Sequence, residues 1–146
     1  MSLGRLASVA VAPGLKVILQ WDDGRRASVD LSGVVSARAA LQPLQDRDTF
    51  AAARVADDGW SLEWPTVGID FGAQQLRRWA EEQAGEAMPL QAFRGWLRRH
   101  ELTPATAAGA LGLAAHDVER FVSGELPIPK TVMLATEGYD GRQAAA

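Results

Sequence analysis

An α+β architecture is predicted for this sequence, with a small strand-rich domain over residues 1–84 and an all-α domain of four or five helices over residues 85–146. Three observations predict it. Apolar residues alternate with a period of two between Val9 and Trp21. The tripeptide Asp-Asp-Gly occurs twice, at 22–24 and 57–59, each time between apolar segments. From Leu90 onward the apolar spacing lengthens to three and four residues, the period of a helix face.

The elements follow in order. Val9, Val11, Leu15, Val17, Leu19 and Trp21 share odd positions, as on strands with one buried face. Pro13-Gly14 supplies the first reversal, Asp22-Asp23-Gly24 the second, and 26–31 returns as a third strand. Val34, Val35 and Leu41 suit a short helix ending before Pro43. The 50–64 segment reads as another hairpin: Val55 on one arm, Asp57-Asp58-Gly59 at the turn, Leu62 and Trp64 on the other arm, and Pro65 closing it. Phe71-Gly72 leads into a helix over 73–84, with Leu76, Trp79, Ala80 and Gln83 on one face.

Gly85, Glu86 and Ala87 read as a linker. A helix bearing Leu90, Phe93, Trp96 and Leu97 follows, with Pro89 suited to its first position. Thr103 is a good N-cap for a second helix, since Pro104 is tolerated where the missing N–H would be unpaired anyway. That helix is rich in alanine and ends at Leu111-Gly112. A third, over 115–123, has Val118, Phe121 and Val122 on its apolar face and stops at Gly124. Trp79 and Trp96 are expected to pack the two halves together.

Composition narrows the function classes. The chain has 146 residues, 47% hydrophobic and 23% charged, with a net charge of -3. No run of about 18 apolar residues is present, so no membrane span is expected. The apolar run behind Arg5 is broken by Pro13-Gly14, which argues against a signal peptide. Cysteine is absent, which removes disulfides and Cys-based zinc sites and fits a cytoplasmic protein. His100 and His116 are too far apart in sequence to pair on one helix face. No metal, no cofactor and no catalytic residue is expected, because no Ser-His-Asp order, metal-ligand spacing or phosphate-cradling glycine loop occurs. The carboxylate pairs Asp22-Asp23 and Asp57-Asp58 precede Gly in turns, and Glu81-Glu82 reads as a solvated helix face. Trp21, Trp60 and Trp64 read as core, with a ligand cleft as the alternative. Residues 89–146 carry six Lys/Arg and six Asp/Glu, so any nucleic-acid affinity there depends on where the cations sit.

Two resemblances add to this reading. The order V-x-V, D-D-G, V-D-L, L-Q-D, D-D-G, W-S-L-E-W-P and I-D-F, with Trp64-Pro65 followed by Asp70, resembles a small bacterial family of domains of unknown function (number 2442) over residues 9–76. That family implies no enzymatic activity. Its members occur alone, in toxin-antitoxin-like gene pairs, and fused to helix-turn-helix domains. The stretch L-T-P-A-T-A-A-G-A-L-G-L-A-A-H-D-V-E-R-F-V-S-G resembles the lambda-repressor-like helix-turn-helix family at Leu102, Thr103, Ala108, Leu111, Gly112, Val118 and Gly124. The second resemblance implies a sequence-specific transcriptional regulator of double-stranded DNA, and the gene pairs of the first family add an antitoxin-like role with a small toxin-like protein as a further partner. A homodimer is expected because one recognition helix reads only a few base pairs and two-fold pairing doubles the site. The second resemblance makes 115–123 the recognition helix, with Ala115, His116, Glu119 and Arg120 at the bases. Thr103, Thr106 and Lys130 become the phosphate contacts, and Arg94, Arg98 and Arg99 more remote ones. The sequence departs from the family pattern at Pro104, Ala114 and Ala115, and again at Asp117 and Glu119, two carboxylates on a helix that would approach a polyanion. The alternative is therefore a protein-interaction module that keeps this fold without binding DNA.

Overall fold

The computed structural model describes residues 4–145. In its first sheet β1 (Leu6–Ala12), β2 (Lys16–Trp21) and β3 (Arg26–Asp30) are antiparallel in the order β1-β2-β3. The expected alternation holds along β2, whereas Val11 on β1 is exposed and Leu15 lies in the turn between the strands. Val17, Leu19 and Trp21 share one face of the pleat and are fully buried, as is Val29 opposite Val17. Lys16 and Ile18 point the other way and are exposed. The β1–β2 reversal places Gly14 and Leu15 at positive φ, and the Leu31 N–H donates to the Leu15 carbonyl at 2.9 Å.

The next segment departs from expectation. A single helix ending before Pro43 is replaced by α1 (Ser32–Ala37) and a 3₁₀ helix (Ala39–Gln45) that contains Pro43. The tighter winding brings Leu41 and Leu44, three residues apart, onto the same buried side. Phe50 lies on no hairpin arm. It belongs to α2 (Arg47–Ala51), because the Asp46 carboxylate accepts from the Thr49 N–H and starts a helix there. Phe50 then stacks on Trp64 with ring centroids 5.6 Å apart.

The second hairpin arms are β4 (Arg54–Val55) and β5 (Ser61–Trp64), with the Asp57-Asp58-Gly59 turn between them. A further strand, β6 (Ile69–Gly72), pairs with β5 and leads directly into α3 (Ala73–Gln83). Leu76 and Ala80 of α3 are buried, Trp79 meets Phe71 edge-on, and Gln83 is exposed. The indoles of Trp21 and Trp64 donate to the carbonyls of Ala73 (3.1 Å) and Phe50 (2.9 Å), so both are satisfied core residues. Trp60 is 37% exposed, with the Arg5 guanidinium 4.9 Å from its ring. These three tryptophans do not line a cleft.

The chain divides into two units at Ala80/Glu81. In the second, Ala87 and Met88 form strand β7 (Ala87–Met88) rather than a linker, paired with β8 (Ile128–Pro129). The helices are α4 (Leu90–Arg99), α5 (Pro104–Leu111), α6 (Ala115–Ser123) and α7 (Lys130–Ala145), the last not foreseen as a helix. Pro89 is the N-cap of α4, one position before its first helical residue. Met88, Leu90, Phe93, Trp96, Leu97, Ala107, Ala108, Val118, Phe121, Ile128 and Val132 make a core separate from that of the first unit. Trp96 stacks on Phe93 there, as Trp79 packs on Phe71 in the first unit, so each ring serves its own core.

Gly59 has φ +77°, and a Cβ there would lie 3.0 Å from the Leu6 carbonyl oxygen and 3.1 Å from Arg5 Cβ. Gly24 has φ +88° but open space around it. Gly24→Ala is expected to cost about 1 kcal/mol of left-handed strain. Gly59→Ala adds crowding against backbone and should cost at least about 2 kcal/mol. Urea unfolding of the two variants measures the difference, and equal costs would contradict the close approach of β1 to this turn.

Candidate nucleic-acid interface

The second unit positions its surface through α5 and α6. Thr103 caps α5: its hydroxyl accepts from the Thr106 N–H at 3.2 Å, and the Thr106 hydroxyl accepts from the Thr103 N–H at 2.8 Å. This is a reciprocal capping box with Thr in place of the usual acidic residue. Both hydroxyls expected at phosphates are thus engaged with each other. Ala107 and Ala108 are buried on the inner side of α5, and alanine there permits close helix approach. Gly112, at φ +71°, ends α5 in the left-handed conformation and donates to the Ala108 carbonyl. Three residues, Gly112, Leu113 and Ala114, separate the two helices.

Helix α6 is oriented by Val118, fully buried, and Phe121, which meets Phe93 edge-on at 6.3 Å. Its far end is held by Arg94 of α4, whose Nε and Nη2 both donate to the Val122 carbonyl at 3.1 and 2.7 Å. Arg94 therefore serves α6 as a clamp. Sequence spacing gave no sign of this role, because the acceptor is a backbone carbonyl far along the chain.

The opposite side of α6 is open. Ala115, His116, Asp117 and Glu119 are exposed. Arg120 is half-buried, and its Nε lies 3.4 Å from Glu125 Oε1. The Ser123 hydroxyl donates to the Arg120 carbonyl at 3.0 Å and accepts from the Glu125 N–H at 3.3 Å, fixing the turn that carries Glu125. Lys130 is exposed at the start of α7. The structure thus brings His116 and Glu119 together on one helix face, exposes Ala115 in the first turn, turns Arg120 toward Glu125, and leaves Thr103 and Thr106 at the head of α5.

Arg98 is exposed at the end of α4, and Arg99 Nη2 reaches Asp140 Oδ2 at 3.5 Å. Asp140 gathers a network that sequence reasoning missed. Its Oδ1 accepts from the Trp96 indole at 2.9 Å and lies 2.7 Å from His100 Nε2, while Tyr139 packs edge-on against both rings. These partners fix α7 against α4. Among the described residues no group of His, Asp or Glu is placed to hold a metal ion, and no helix is long and apolar enough to cross a membrane.

A strand-rich unit is thus followed by a helical unit in which the short helix α6 is open on one side. The chain belongs to the family described as "Protein of unknown function (DUF2442)", which matches residues 6–82. The chain is also similar to a crystal structure from Nitrosomonas europaea ATCC 19718, described as that of a "Putative DNA Binding Protein". The two are 32% identical with a TM-score of 0.63, and the likeness covers 93% of this chain and 86% of that one. Coverage of that extent takes in the helical unit as well as the family domain. No curated protein matches the chain.

Desolvation against α4 pushes the Asp140 carboxyl up, but the Trp96 indole, His100 and Arg99 outweigh it and hold the group below its ordinary 3.8. A depressed carboxyl stabilises the fold above its unfolded value and loses that contribution as pH falls through the folded one. Asp140→Asn should therefore flatten the acid limb of a stability profile followed by urea midpoints from about pH 6 to about pH 2. An unchanged limb would show that these bonds do not discriminate between the charged and neutral acid.

Proposed function

We propose that the protein is a sequence-specific DNA-binding transcriptional regulator, reading duplex DNA through a lambda-repressor-like helix-turn-helix formed by α5 and α6 and acting as a homodimer. One observation carries this reading. Helix α6 follows a three-residue glycine turn, buries Val118 and Phe121, exposes His116 and Glu119 on the side away from its core, and exposes Ala115 in its first turn. This is the disposition of a helix that enters the major groove by its N-terminal half. The Nitrosomonas europaea protein, described as a "Putative DNA Binding Protein", supports the same reading through a likeness that extends over the helices.

The contacts follow from chemistry. Arg120 gives up Glu125 to donate to a guanine edge. Releasing an exposed ion pair costs only about 0.5 kcal/mol, and a bidentate arginine–guanine contact would discriminate against a wrong base by about 1–3 kcal/mol. Glu119 accepts from cytosine N4, and His116 and Ala115 face the neighbouring bases. Lys130 meets the phosphate backbone from the start of α7, and Thr103 and Thr106 sit beside the strand at the head of α5.

A second reading rests on a specific observation: α6 carries two exposed carboxylates, Asp117 and Glu119, against one arginine that faces Glu125, and residues 89–146 carry no net charge. In that reading the same surface binds a basic protein partner, such as the small toxin-like product of a neighbouring gene. Fluorescence anisotropy with DNA flanking the protein's own gene separates the two. The regulator binds at about 50 mM salt and loses affinity steeply by about 200 mM. Arg120→Ala should cost about 1–3 kcal/mol on one preferred sequence and little on others. Lys130→Ala should weaken all sequences alike and lower the salt slope by about one. No binding at about 50 mM salt would set the regulator aside in favour of the protein-binding module.

A further inference from the structure

We infer that the outward face of α7 is a self-association surface, on which a second copy of the chain packs its own α7 in parallel. The inner side of α7 is fully used: Val132 and Thr136 are buried, and Tyr139 and Asp140 engage Trp96 and His100 of α4. The opposite side carries Leu134, Gly138, Gly141 and Ala145, spaced four, three and four residues apart. That alternation keeps one seam toward a neighbouring helix over three turns. Leu134, at 52%, is the most exposed large apolar side chain among the described residues.

The flanking charges select the occupant and its direction. Glu137 and Arg142 stand on either side of this seam, and neither makes an ion pair among the described residues. They are five positions apart, the offset at which the flanking residue of one helix meets its opposite number in a parallel two-stranded pair. Two copies therefore form two identical Glu137–Arg142 pairs related by a two-fold axis, with Leu134 against Leu134 between them. An antiparallel pair would bring like flanks to the same side and lose both. The surface complements itself.

The glycines support the same pairing. Glycine weakens a helix interior relative to alanine, yet a Cβ at Gly138 or Gly141 would meet nothing within 4 Å. The fold of a single chain gives these residues no packing reason. Close approach of a second helix does. One helix pair buries less than the roughly 1,200–2,000 Å² of a standard stable interface, so association is expected to depend on concentration and salt.

This surface would serve the dimer of the proposed regulator, but it is measured without DNA, so its failure and the failure of DNA binding are distinguishable. Sedimentation velocity of the full chain from about 5 µM to about 500 µM should show a monomer passing into a dimer. Leu134→Asp should raise the dissociation constant about tenfold or more while the far-ultraviolet spectrum stays unchanged. Glu137→Arg should weaken the dimer about two- to fivefold at low salt, and adding Arg142→Glu should restore it. Gly138→Ala with Gly141→Ala should raise the melting temperature of the dilute monomer and weaken the dimer. A wild type that stays monomeric at about 500 µM overturns the inference, as does a dimer indifferent to Leu134→Asp or a charge swap without restoration.

Discussion

The seating of Val118 is the constraint on which the rest of the helical unit depends. A helix of nine residues has little stability of its own, and burying its valine and phenylalanine supplies about 2–3 kcal/mol each. Because these two residues are three apart, they also fix the rotation of α6 about its axis, and with it the identity of every outward side chain. Ala107 and Ala108 make room for the seat, Gly112 turns the chain toward it, and Arg94 pins the far end through the Val122 carbonyl. Any of these could change the outward face without touching it.

The carboxylates scattered along the first unit have structural tasks. Asp23 bonds Arg77 and the Arg25 N–H, Asp30 bonds the hydroxyl and N–H of Ser32, and Asp46 caps α2 through Thr49. Each of the three is held below the ordinary carboxylate value by those bonds. A chain with a net charge of -3 thus commits part of its negative charge to turns and caps.

What could be read from the sequence was what local chemistry decides. The strands of the first sheet, Thr103 as a cap with Pro104 behind it, and the glycine ends of α5 and α6 all follow from residues acting on their immediate neighbours. Phe50 is ambiguous in sequence because an apolar residue fits a strand or a helix equally, and the deciding bond comes from Asp46 four residues earlier. Strand β6 leaves no signal in the sequence, because four residues between a glycine and a helix carry too little alternation. Helix α7 has near its start four consecutive apolar residues, Val132 to Ala135, which mask the helical spacing that follows them. In the site, the outward positions of α6 were legible once Val118 was taken as inward. The Arg94 clamp and the Asp140 network were not, since their partners lie 28 and 40 to 44 residues away.

The Thr103–Thr106 box has a consequence for any strand of nucleic acid passing the head of α5. With both threonine amides bonded to hydroxyls and no hydrogen on the Pro104 nitrogen, Ala105 alone among the first-turn residues described keeps an unspent amide. One such donor adds little grip on a polyanion, so under the regulator reading Arg120 and Lys130 would carry most of the hold on a solitary half-site. Under the regulator reading, occupancy would then climb with the square of protein abundance, giving a threshold response in place of a graded one.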